Sequence, residues 1–238
     1  MKLDLLAFGA HPDDVELGAG GSIAREVANG RKVGIVDLTR GELGTRGSAD
    51  IRDAESAASA SLLGVELRMN MEFKDGFFSD DASHQLALIP VIRYLKPDVV
   101  ICNSNSDRHP DHGKAARLVS KACFLAGLPR IPSQWDGEEQ LAWRPSAVYH
   151  YIQDRYLKPD FVIDISDFIE LKMKSVLAFR TQFYDPDSIE PETPISGKAF
   201  LEFLHARAID FGRPAGFHYA EGFQVERYPG VDTFFHLR

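Results

Sequence analysis

The sequence predicts an α/β fold: a Rossmann-like, mainly parallel sheet with helices on both faces, built as a single domain over residues 1–238. Three observations carry this expectation. Short apolar runs bounded by Gly, Pro or charged residues recur along the chain and read as buried strands. Stretches with helical spacing separate them, the alternation expected of a parallel sheet. The first strand–helix–strand unit spans roughly 35 residues, the size of a βαβ crossover.

The elements follow in order. Residues 3–9 (LDLLAFG) read as a buried strand closed by Gly9, and residues 16–29 as a helix with Gly30 as its C-cap. Residues 32–38 (KVGIVDL) read as the second strand, and 39–47 (TRGELGTRG) as a polar loop. An Ala/Ser-rich helix is expected over 49–63, stopped by Gly64, then a third strand over 67–73. Residues 85–95 are helical and Pro97 ends them. The run DVVIC (98–102) is another buried strand, with a helix after it over 114–125. Two more strands are expected at 146–152 and 161–165, and a helix at 168–183. Beyond Tyr184 the pattern weakens: a loop bearing Pro and Glu (184–194) precedes a helix near 197–208, expected to pack on the same core.

Composition narrows the classes of function. Hydrophobic residues make up 44% and charged residues 26%, which suits a globular protein and not a disordered one. The formal charge is −8 and the pI about 5.5, with no Lys/Arg block to neutralise a phosphate backbone, so nucleic acid is not an expected partner. No window approaches a membrane span, and the N-terminal apolar run is too short for a secretory signal, so the expected location is the cytoplasm. Cys102 and Cys123 sit in separate apolar stretches and read as buried free thiols, not a metal site.

Two His-Pro-Asp motifs carry the chemistry. His11-Pro12-Asp13-Asp14 follows the first strand, and His109-Pro110-Asp111-His112 forms a short loop after DVVIC. Both fall at strand carboxyl ends, where open α/β sheets bind ligands. Imidazole and carboxylate suit zinc, and a catalytic zinc site keeps three protein ligands and an open position. His11, Asp14 and His112 supply such a set, and iron(II) suits it too. Asp13 or Asp14 can also be read as a cap of the following helix. A phosphate cradle at Gly18–Gly21 is disfavoured: the glycines follow two acids, and the GxGxxG order is absent. Arg40, Arg46, Arg52 and Arg108 flank the motifs and read either as anchors for an anionic substrate group or as surface ion pairs, such as Arg52 with Glu55. Tyr149, Tyr151 and Tyr184 read as pocket-lining or packing residues.

Several segments together are specific. GAHPDDVEL (9–17), VDLTRGELGTRG (36–47), IRDAE (51–55), DRHPDHGKAA (107–116), YHYIQ (149–153), QFYDP (182–186) and YAEGF (219–223) resemble the PIG-L/LmbE-like zinc deacetylases. Within that family the chain looks most like the bacillithiol-pathway branch that deacetylates N-acetylglucosaminyl-malate. The resemblance implies a small amino-sugar conjugate as substrate and zinc on His11, Asp14 and His112. It further implies Asp13 as general base, His109 as acid or oxyanion stabiliser, and Asp111 as the residue that orients His109. Arg52 and Arg108 would bind the aglycone's carboxylates, with Tyr184 a further substrate contact. A homo-oligomer, the hexamer included, is also implied. The same chemistry on a chitooligosaccharide or a mycothiol-type conjugate is the alternative.

Overall fold

The computed structural model describes residues 1–236. Its centre is a seven-stranded sheet built from β1 (Leu5–Gly9), β2 (Val33–Thr39), β3 (Leu67–Phe73), β4 (Val99–Asn103), β7 (Ala147–Tyr151), β8 (Phe161–Asp164) and β9 (Ala220–Val225). The strand order is β3-β2-β1-β4-β7-β9-β8, and the first five of these run parallel. β9 enters antiparallel between β7 and β8, so the sheet is parallel except along this strand. Sequence reading assigns no strand there. A small hairpin, β5 (Gln134–Trp135) with β6 (Glu138–Glu139), lies outside the main sheet and is also absent from the expected elements.

Helices cover both faces, and strand pleating decides what they bury. On β1, Leu6 and Phe8 pack with α3 (Ala82–Leu95) and α4 (Pro110–Ala126). Leu5 and Ala7 point the other way, onto α1 (Asp14–Ala28), which α5 (Ile169–Leu177) and α2 (Ala49–Leu63) flank. A strand covered on both faces is largely apolar, and every residue of β1 and β2 is buried, with Asp37 of β2 paired to Arg68. The last helix, α6 (Lys198–Gly212), packs on β9 and continues the same body.

Local signals explain most boundaries. Ser48 caps α2 by accepting the Ile51 amide, and Gly64 ends it in the left-handed region at φ 71°. Pro110 occupies the first turn of α4, where its missing N–H costs nothing. That helix starts earlier than expected, so the second His-Pro-Asp motif is the first turn of α4 and not a loop. α5 ends earlier than expected: after Leu177 the chain turns through i→i+3 bonds such as Gln182 N–H to Phe179 C=O, and buries Phe179 and Phe183. Both cysteines are buried and free. No helix among the described residues is long and apolar enough to cross a membrane.

Candidate metal centre and active site

The sheet order reverses between β1 and β4, and the two motifs flank that switch point. The rim above it collects side chains from the ends of four strands: His11, Asp13 and Asp14 after β1, Asp75 after β3, Asp107, His109 and His112 after β4, and Gln153 after β7. Most of them line a cavity of about 230 Å³ with Arg52, Arg108 and an apolar wall of Leu17, Ile195, Phe200 and Leu204; Asp107 stands behind His112.

Asp14 stands at its centre. One oxygen lies 3.4 Å from His11 Nδ1 and the other 3.1 Å from His112 Nε2. The carboxylate also accepts from the His11 amide (2.9 Å), Asn103 Nδ2 (3.1 Å) and Gln153 Nε2 (2.7 Å). Burial opposes its charge, but the two imidazoles outweigh burial and hold its pKa well below the usual range.

Each of these histidines has its other nitrogen tied to an outer carboxylate. His112 Nδ1 meets Asp107 at 2.7 Å, and His11 Nε2 meets Asp75 at 3.1 Å and Asp111 at 3.5 Å. Metal-binding histidines are held this way, since the outer partner fixes the tautomer and aims the free nitrogen. Two aimed imidazoles and a carboxylate therefore fit a zinc-type ion, and the chemistry of the donors equally suits iron(II). His109 is near as well: ring nitrogens of His11, His109 and His112 lie within 4.8 Å of one another. Burial disfavours charge on His112, yet Asp14 and Asp107 prevail and raise its pKa to about 9.

Asp13 is the N-cap of α1 at φ 109°, a strained backbone for a residue with a Cβ. Its side chain makes no cap hydrogen bond and lines the cavity instead. Burial pushes its carboxyl up to about 7, with the Arg52 charge opposing. His109 accepts the Asp111 amide at Nδ1 (3.3 Å), which leaves Nε2 as the donor of a neutral ring. Burial, then the neighbouring His11 and His112, lower its pKa and keep it neutral.

The remaining predicted residues separate. The Asp111 carboxylate is turned to His11, the Gly76 amide (2.8 Å) and Lys114 (2.9 Å); only its backbone reaches His109. The expected Asp111–His109 carboxylate contact is thus replaced by one to His11, because Asp111 lies in the helical first turn with Gly76 opposite. Arg52 is buried, donates to Gln182, and keeps Nε without a partner among the described residues. The alternative pairing of Arg52 with Glu55 gives way to Glu55 binding Thr181. Arg108 sits half-exposed at the cavity mouth beside Asp154 (3.2 Å). Tyr184 is 37% exposed and is not among the lining residues. Tyr151 is core: its hydroxyl donates to the Phe8 carbonyl at 2.9 Å. Sequence reasoning missed Asp75, Asp107 and Gln153 as site residues. Position just beyond strand carboxyl ends was the signal all three share, and Asp107 and Gln153 also stand in DRHPDHGKAA and YHYIQ, segments that carry the family resemblance.

A sequence profile of the PIG-L family, described as GlcNAc-PI de-N-acetylase, matches residues 6–123. The diacetylchitobiose deacetylase of Thermococcus kodakarensis is 28% identical over 98% of this chain and 85% of its own length. The uncharacterized deacetylase YaiS of Escherichia coli is 32% identical over 64% of this chain and 83% of its own. Among solved structures, the conserved protein TT1542 from Thermus thermophilus superposes with a TM-score of 0.86 at 36% identity, over 98% of both chains.

Proposed function

The chain belongs to the PIG-L/LmbE-like deacetylase family, and on that premise we propose that it is a metal-dependent hydrolase removing the acetyl group of N-acetyl-α-D-glucosaminyl L-malate. The observation that carries the hydrolytic reading is the Asp14 carboxylate facing two histidines that outer carboxylates aim at it. His11, Asp14 and His112 would hold the ion. When bound, a divalent metal there supplies Lewis acidity, acidifying water and polarising the amide carbonyl.

The chain's own groups do the rest. Asp13, with its carboxyl near 7, accepts a proton from the attacking water at neutral pH. The neutral His109 donates from Nε2 to the oxygen that gains charge as the carbonyl becomes tetrahedral; such a donor typically contributes about 10²–10³ in rate. The proton held by Asp13 then passes to the leaving amine, and acetate and a free amino sugar result.

The malate assignment rests on the two cations. Arg52 is buried beside Asp13 with a spare donor, and Arg108 stands at the mouth. A substrate with two carboxylates suits one cation at each depth, through charge-assisted hydrogen bonds. The cavity is smaller than the roughly 300–1,000 Å³ of drug-sized sites, which suits one sugar ring with a compact aglycone.

The test is acetate release from N-acetylglucosaminyl-malate, N-acetylglucosamine and N,N'-diacetylchitobiose, each with and without a chelator. Chelator-sensitive release that favours the malate conjugate is expected. Preference for diacetylchitobiose would discard malate and keep the chemistry. Release that resists complete metal removal would overturn the metal reading.

A further inference from the structure

Two sequence features are left without a role by the proposed reaction: the glycines of GAGG (Gly18–Gly21) and the acid of YAEGF (Glu221). The structure brings them together inside α1. Glycine is the weakest helix former after proline, and α1 carries three of them immediately after its catalytic turn. Two are required by space. A Cβ on Gly18 would come within 2.1 Å of the Tyr151 ring, and one on Gly21 within 2.8 Å of Ile165. Gly20 is not so constrained, since a Cβ there would meet Ser175 Oγ at 3.4 Å and Lys172 Cγ at 3.5 Å, ordinary contacts.

Two buried charges meet this weak stretch. Lys172, from α5, donates through Nζ to the Leu17 carbonyl at 2.7 Å. Glu221, from β9, accepts the Gly21 amide at 3.0 Å with one oxygen and the Ser22 amide at 2.7 Å with the other. The pair also bond to each other. In an uninterrupted helix the Leu17 carbonyl and the Gly21 amide serve one another. Here buried side chains from α5 and β9 also reach both groups. Lys172 is 3% and Glu221 4% exposed. A buried ion pair is weak evidence for a purely stabilising role, because apolar residues of similar volume often do as well.

What the pair holds is the turn that carries the chemistry. Leu17 lines the cavity, its amide donates to the Asp13 carbonyl at 3.0 Å, and Asp13 and Asp14 begin the helix. We propose that Lys172 and Glu221 form a clamp that fixes the Asp13–Leu17 turn of α1 across its glycine-weakened segment, as positioning residues for the deacetylation, a role that rests on the function proposed above.

The experiment compares wild type with Glu221→Gln, and with Glu221→Gln carrying Gly20→Ala. Zinc content, kcat, KM and site-resolved amide exchange are read in each. Expected for Glu221→Gln are stoichiometric zinc, kcat down about tenfold or more, KM within about twofold, and faster exchange confined to residues 14–22. Gly20→Ala, by strengthening the helix, should restore part of both kcat and protection. Lys172→Arg, which keeps the charge and moves the donor, takes its place if Glu221→Gln does not fold. A kcat within about twofold of wild type, or exchange that rises evenly through β1 and β4 as well, overturns the clamp. Selective loss of protection in a protein that releases no acetate from any substrate would sustain the clamp and sink the deacetylase reading. An active wild type whose variant is unchanged in both readouts does the reverse.

Discussion

Replacing Asp107 by Asn should weaken zinc binding more than any other single change outside the three ligands. Asp107 is fully committed. Oδ2 meets His112 Nδ1 at 2.7 Å, and Oδ1 accepts the amides of Arg108 (2.7 Å) and Arg155 (2.9 Å). An asparagine must keep its oxygen on those two amides, so its NH₂ faces His112. Nδ1 then becomes an acceptor, and the proton moves to Nε2, the nitrogen aimed at Asp14. Loss of an outer partner typically costs about 10–100-fold in metal affinity. The forced tautomer places Asp107→Asn at the upper end, about 2.7 kcal/mol. Asp75→Asn should cost only about tenfold, because His11 Nε2 also has Asp111 at 3.5 Å. The assay is chelator competition for zinc at pH 9 and pH 7. With His112 raised to about 9, the metal must displace a proton below that pH. Wild-type affinity should therefore fall by up to about tenfold per pH unit for each proton displaced. The substitution also removes part of what raises that pKa, so the gap between variant and wild type should narrow at pH 7. Equal affinity at pH 9, or greater harm from Asp75→Asn, would refute the assignment of outer carboxylates.

Other outcomes follow from the same geometry. Asp13→Asn should retain stoichiometric zinc and lose about 10²–10⁴ in turnover, and near-normal turnover would remove Asp13 as the base. Arg108→Gln should damage turnover of the malate conjugate far more than that of N-acetylglucosamine, while equal damage would leave Arg108 a supporting role only. Arg68 donates to both oxygens of Asp37 (2.7 and 2.9 Å) and to Glu16, two buried carboxylates, so Arg68→Met should cost about 3–5 kcal/mol in urea unfolding. A loss under about 1 kcal/mol would show those carboxylates satisfied elsewhere. His150 is buried with Asn103 C=O at Nδ1 (2.8 Å) and Glu226 at Nε2 (3.0 Å). Burial opposes its charge, but Cys102 and Glu226 raise its pKa to about 11. A raised pKa stabilises fully below the unfolded value of about 6.5 and progressively less as pH rises towards 11. The urea-midpoint gap between wild type and His150→Gln should thus shrink from pH 6 to pH 10, and a gap that widens would contradict a charged His150.

Much of this was legible in the residues alone. Strands buried on both faces are largely apolar, so β1, β2 and β4 announce themselves as runs, and Gly64 and Pro97 mark helix ends through backbone sterics. The ligand-type residues were visible because the two motifs concentrate imidazole and carboxylate at strand ends, which the α/β alternation places on one rim. What the residues could not convey was which distant groups meet. β9 is mixed in polarity, and its antiparallel place between β7 and β8 comes from pairing across long separations. Phe179 and Phe183 continue an apolar pattern that reads as helix, yet the chain turns there to bury them and to bring Gln182 onto Arg52. Asp75 has no local signature, nothing local shows that Asp107 and Gln153 reach His112 and Asp14, and Asp111 turned to His11 because Gly76, from another strand's end, lies opposite. Periodicity and backbone sterics act over a few residues and can be read in order. The aim of a histidine and the company of a buried charge are set by packing between segments far apart in the chain, and only the tertiary structure decides them.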